Sequence, residues 1–173
     1  MSKVAVIYKS HYGTTRRYAK WISEELGAEL FEEPGVRPEQ LMEYDIIVYG
    51  GGLYAGGVAG SKLVAKNPCK SLVVFTVGLA NPELTDFSEI LSKNFTPEQQ
   101  EQIKVFHLRG GIDYGKLSTV HRVMMAAMKK LTEKAPVAER TDDDHLLLET
   151  YGTKIDFTDK ESITALVEYV RSM

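Results

Sequence analysis

Val4-Ala5-Val6-Ile7-Tyr8-Lys9-Ser10-His11-Tyr12-Gly13-Thr14-Thr15 is the stretch that decides the fold. The apolar, β-branched run Val4 to Tyr8 reads as a buried strand. From Thr14 the period changes: Tyr18, Trp21, Ile22 and Leu26 recur at spacings of three and four, the apolar stripe of a helix over Thr14 to Leu26. A strand that passes through a short polar loop into a helix presents unpaired N–H groups and the positive end of the helix dipole to whatever sits above the loop. Ser10, Thr14 and Thr15 add hydroxyls, so the loop Ser10-His11-Tyr12-Gly13-Thr14-Thr15 forms a phosphate cradle that needs no lysine. The same residues also suit a plain helix start, with Thr14 or Thr15 as cap and Gly13 as the turn.

Outward from this unit the alternation repeats. Further strand-like runs are Ala28 to Phe31, Asp45 to Tyr49, Ser71 to Val77 and Ile103 to Leu108. Helical segments lie between them, so the expected fold is α/β: a doubly wound parallel sheet of five strands, order 2-1-3-4-5, with helices on both faces. Asn81-Pro82 is expected to open a helix carrying Phe87, Ile90 and Leu91, and Thr96-Pro97-Glu98-Gln99 reads as a capping box. Leu117, Val120, Met124, Met128 and Leu131 mark another helix, read as facing the core. Thr158-Asp159-Lys160-Glu161 is read as the box that starts the last helix, with Ile163, Leu166, Val167 and Val170 on its buried face. Thr141-Asp142-Asp143-Asp144 reads as a solvated turn. Residues 1–173 are expected to form a single domain with an excursion at about 135–157.

In such a sheet, ligands bind where strand order reverses, at the ends of the first and third strands. Gly50-Gly51-Gly52-Leu53-Tyr54-Ala55-Gly56-Gly57 follows the third strand, and glycines there let a planar ligand approach the backbone. Val77-Gly78-Leu79-Ala80-Asn81 ends the fourth strand and supplies a third wall. The candidate site is therefore Ser10 to Thr15, Gly51, Gly52, Leu53, Tyr54, Ala55 and Gly56, with Val77, Gly78, Leu79 and Ala80.

Composition removes other classes. With 21 basic and 24 acidic residues the formal charge is -3, which gives no field directed at nucleic acid. One cysteine, Cys69, permits no internal disulfide and reads as intracellular, so a soluble, unprocessed cytoplasmic protein is expected; the apolar run after Lys3 is too short for a signal peptide. Gly50-x-Gly52 lacks the third glycine of a dinucleotide fingerprint at the required spacing, and Gly60-Ser61-Lys62 inverts a Walker loop. His107, His121 and His145 are too dispersed for a metal site, and no Gly-x-Ser-x-Gly elbow occurs. Lys104 to Lys134 holds cations at 104, 109, 116, 122, 129, 130 and 134 against acids at 113 and 133. That stretch suits an acidic partner or an anionic membrane surface in peripheral contact, and equally a solvated helix face.

The order of elements, the loop Tyr8-Lys9-Ser10-His11-Tyr12-Gly13-Thr14-Thr15 and the glycine loop at 50–57 resemble the flavodoxin family. Ser10, Gly13 and Thr15 match that family's Thr/Ser-x-Thr-Gly-x-Thr pattern, and Tyr12 replaces one hydroxyl position. Within the family, Arg109-Gly110-Gly111-Ile112-Asp113-Tyr114, the basic Met-rich helix after it and Ile155-Asp156-Phe157-Thr158-Asp159 resemble the menaquinone-dependent protoporphyrinogen dehydrogenase branch. The resemblance implies FMN, its phosphate on residues 10–15 and its ring between 51–56 and 77–81. It implies redox exchange with a partner protein or a small-molecule electron acceptor, leaving donor, acceptor and oligomeric state open. The alternatives are an FMN-dependent dehydrogenase acting on a porphyrinogen or quinone, and a regulatory domain without flavin. Tyr54 is the aromatic of the second loop, Leu79 offers no ring in the third, and Tyr114 is a candidate cover. Lys9, His11, Arg16, Arg17 and Arg109 are expected to lie near the ring, where cations favour negative charge on a reduced flavin.

Overall fold

The computed structural model describes residues 1–54 and 56–173. The central strands are β1 (Val4–Lys9), β2 (Glu29–Glu32), β3 (Ile46–Tyr54), β5 (Leu72–Gly78) and β6 (Lys104–Arg109), with β4 (Gly57–Val58) folded back antiparallel on β3. They pair in the order β2-β1-β3-β5-β6, all parallel, so the expected sheet stands. Register places Val6 beside Leu30 and Val48, and Val74 beside Val105.

Both faces of the strands are apolar because both are covered. On one face Val6, Tyr8, Val48 and Phe75 pack with Tyr18, Ala19 and Ile22 of α1 (Thr14–Leu26). Leu166, Val167 and Val170 of α7 (Thr164–Ser172) complete that layer. On the other, Ala5, Ile7, Ile47, Tyr49 and Val74 pack with Leu41, Val64 of α2 (Lys62–Ala65), Leu91 of α3 (Ser88–Asn94) and Phe95. The period-2 alternation of β1 sends Val6 one way and Ile7 the other.

Several local expectations change. The helix expected at Asn81-Pro82 begins only at Ser88, because Asn81 makes a turn: its Oδ1 accepts from Glu83 N at 3.1 Å and its carbonyl from Leu84 N. The box at Thr96 holds and starts α4 (Pro97–Gln102). Thr141 is no open turn; it caps α6 (Asp142–Thr150), where the three aspartates sit on the positive end of the helix dipole. Before it runs α5 (Thr119–Lys134), capped by Ser118. Its outer face is solvent-exposed instead of core: Val120 and Leu131 are 67% and 69% exposed. A two-stranded antiparallel ribbon, β7 (Gly111–Asp113) with β8 (Lys154–Asp156), folds the excursion back against the end of β6. Asp159, not Thr158, caps the 3-10 turn that leads into α7 (Thr164–Ser172). No described helix is long and apolar enough to cross a membrane.

Candidate functional site

The ends of β1, β3 and β5 open into a cleft of about 270 Å³, near the lower bound of roughly 300 Å³ for small-molecule sites. From the first loop it is lined by Ser10, His11, Tyr12, Thr14 and Thr15; from β3 by Gly52, Leu53 and Tyr54; from the end of β5 by Val77, Gly78, Leu79 and Ala80. Gly13, Gly51 and Gly56 are not on its wall, and Ala55 lies outside the described residues.

The first loop leaves the start of α1 open. Gly13 takes the N-cap at φ +97°, a left-handed conformation that side chains resist. Ser10 Oγ accepts from Gly13 N at 3.0 Å, which folds the loop. No side chain caps α1 and its first turn carries no acid, so the N–H groups there meet no carboxylate of their own turn.

The glycine run is strand as far as Tyr54, not loop, and its members serve different ends. A Cβ on Gly50 would stand 2.0 Å from the Phe75 ring, so this glycine makes room for the core. One on Gly51 would meet the Ala59 carbonyl at 2.5 Å, where β4 returns. Gly52 faces the cleft: its Cβ would sit 3.2 Å from Tyr54 and 3.4 Å from Thr15 Oγ1. Of these three glycines only Gly52 lies on the cleft wall.

The cleft also has a wall outside the expected set: Gly110, Gly111, Ile112, Leu117, His121, Met124, Met125 and Met128. The glycine pair was visible directly after the fifth strand run. A Cβ on Gly110 would lie 2.7 Å from Val77 and 3.2 Å from Thr14 Oγ1, so it closes the strand ends together. The methionines follow the periodic stripe of α5, whose inner edge meets the cleft rather than the core. Tyr114, the expected cover, is buried beside Tyr151 with its hydroxyl unpartnered, and it does not line the cleft.

At the mouth four rings converge. His121 of α5 stacks on Tyr54 with centroids 4.9 Å apart and planes 18° apart, and His11 meets Tyr54 edge-on at 4.7 Å. Tyr12 Oη is hydrogen-bonded to His121 Nδ1 and accepts from Ser118 N at 3.2 Å. Burial pushes the Tyr54 hydroxyl up to about 12, with Tyr12 adding to the shift. Burial lowers the His11 pKa, as do His121 and Lys9 beside it. Tyr54 and His11 are thus held neutral at pH 7.

Among the described residues no carboxylate, lysine or arginine lines the cleft. The cations expected around it are partly engaged: Lys9 pairs with Glu33 at 3.6 Å and Arg17 with Asp156 at 2.8 Å. Arg109 donates from Nε and Nη2 to the Leu79 carbonyl at 3.2 and 3.1 Å, which braces the third wall, and lies over Phe157. Cys69 is a packing residue whose thiol burial pushes up to about 11. Among the described residues no cluster of acids, histidines and cysteine could hold a metal ion.

A curated relative, the uncharacterized protein MJ0298 of Methanocaldococcus jannaschii, is 38% identical over 55 residues, 31% of this chain; the chain spans 37% of that relative's length. Among solved structures, a flavodoxin from the domain Archaea is 17% identical over 98% of this chain and 99% of its own, with a TM-score of 0.46. A Lactobacillus acidophilus flavoprotein in complex with FMN is 15% identical over 63% of this chain and 93% of its own, with a TM-score of 0.43. The family model described as a flavodoxin domain matches residues 5–138, from the first strand through α5, and the chain belongs to that family.

Proposed function

We propose that the cleft binds FMN and that the protein is a redox carrier, exchanging electrons with a partner protein or small-molecule acceptor. The observation that carries this reading is the joining, in one cleft lined among the described residues by no acid, lysine or arginine, of an uncapped helix start with Ser10 and Thr14 hydroxyls and a wall at Gly52 and Tyr54. The first feature suits a phosphate, the second a planar ring. Membership of the flavodoxin family points the same way. When bound, FMN supplies one- or two-electron redox chemistry. The chain's own part is to anchor the phosphate through Ser10 to Thr15, to hold the ring against Gly52 and Tyr54, and to keep water out with Leu79, Met124 and Met128.

The methionine wall favours a second reading, an FMN-dependent dehydrogenase of the protoporphyrinogen oxidase type. A cleft roofed by Ile112, Leu117 and the three methionines receives an apolar small molecule more readily than the surface of a protein. Reconstituting the apo protein with FMN, alongside Ser10→Ala/Thr15→Ala, tests the shared cofactor claim. Tight binding weakened by the double change supports it, and a protein that ignores FMN points to a domain of this fold without flavin. Turnover of a porphyrinogen with a quinone then separates dehydrogenase from carrier.

A further inference from the structure

The third wall of the cleft carries Leu79 and no ring, yet a second flat face is present, supplied by α5. His121 lies parallel to Tyr54 and nearly perpendicular to His11, whose centroid is 5.8 Å away. Its orientation is fixed by one hydrogen-bond chain. Tyr12 Oη accepts the Ser118 N–H and is hydrogen-bonded to His121 Nδ1, which ties the ring to the start of its own helix and to the first loop.

Spacing decides what this pair can do. Aromatic layers pack at about 3.5 Å, so a planar ring between two others needs them about 7 Å apart. At 4.9 Å the Tyr54–His121 pair is closed. Tyr54 is hemmed in on the strand side by Gly52. The other partner rides on a helix whose outer side is open to solvent, with Val120, Val123 and Leu131 each at least 64% exposed. An outward shift of about 2 Å therefore separates the rings without unpacking the sheet.

We infer that, given the FMN reading above, the isoalloxazine ring inserts between Tyr54 and His121. His121 is then a cofactor-positioning residue delivered by α5, taking the place of the ring that the third loop lacks. Within the open cleft the Tyr54–His121 pair is closed until the cofactor parts it.

Four proteins test it: wild type, His121→Ala, His121→Phe and His121→Gln, each checked for its folded state by thermal unfolding and then titrated with FMN. His121→Ala and His121→Gln are expected to weaken binding by about three- to tenfold, the scale of one lost stacking contact. They are also expected to lose the shift of the bound-flavin absorbance band seen with wild type. His121→Phe, which keeps a ring without the imidazole, restores both affinity and band position. Should His121→Ala fail to fold, the comparison of His121→Gln with His121→Phe decides. Wild-type affinity and spectrum in both ringless variants would overturn the inference while leaving FMN binding intact. Absence of FMN binding by wild type would instead overturn the FMN reading, and this inference with it.

Discussion

Arg17 Nη1 donates to Asp156 Oδ2 at 2.8 Å, so the helix that forms the floor of the cleft is tied to a strand formed nearly 140 residues later. Asp156 Oδ1 accepts in turn from the Thr158 amide and hydroxyl at 2.9 and 2.6 Å. Tyr18, one position beyond Arg17, repeats the link: its hydroxyl donates to the Arg109 carbonyl at 2.5 Å and accepts from Asp159 N at 3.1 Å. The excursion after α5 is thereby fastened to the start of the fold.

The carboxyl of Asp156 is held down to about 2, first by the Thr158 hydroxyl and then by Arg17. Its folded pKa lies below the unfolded value of about 3.9, so its stabilisation is present above pH 4 and is lost as pH falls through 2. In thermal unfolding, Asp156→Asn should melt below wild type by a constant interval from pH 7 to 5. The interval should close as pH approaches 2; an interval that is unchanged at low pH would contradict the assignment. Because half of the side chain is exposed, the expected effect is small.

His107 behaves differently. It stacks on Phe87 with centroids 3.6 Å apart, is hydrogen-bonded through Nδ1 to Thr76 Oγ1 at 2.5 Å, and burial pushes its pKa down to about 4. The unfolded chain therefore binds more protons between about pH 6.5 and 4, and stability falls as pH drops through that window. His107→Gln should flatten this part of the stability profile in urea unfolding. A slope identical to that of wild type would show that His107 charges without penalty.

Gly50 and Gly13 should differ sharply in the cost of an added methyl. Gly50→Ala drives a methyl into the Phe75 ring and should cost about 3 kcal/mol or more in denaturant unfolding. Gly13→Ala meets nothing within 4 Å and should cost only about 1 kcal/mol, from its positive φ. Equal costs would contradict these roles.

What could be read from the sequence was what is local or periodic. β1, α1 and the hydroxyl loop are contiguous, and each parallel strand except β2, where two of four residues are glutamate, announces itself by an apolar run. Twelve of the sixteen expected site residues line the cleft, because the loops after β1, β3 and β5 meet there in any sheet of this order. His121 was not legible as a site residue: it meets Tyr12 across 109 positions, and no local pattern announces that contact. The α5 stripe was read as core because an apolar stripe specifies burial without naming what buries it. Here the inner edge faces a cleft and the outer edge faces solvent. Thr141 to Asp144 looked like a turn because the residues that solvate turns also cap helices.

The most direct test of the central claim is the affinity of the apo protein for FMN set against riboflavin, by quenching of flavin fluorescence. The two ligands share the ring and differ in the phosphate, which the account places on Ser10 to Thr15. FMN should bind at least about tenfold more tightly, the value of one charge-assisted contact, and Ser10→Ala should narrow the gap. Equal affinities, or no quenching by either flavin, would contradict the account.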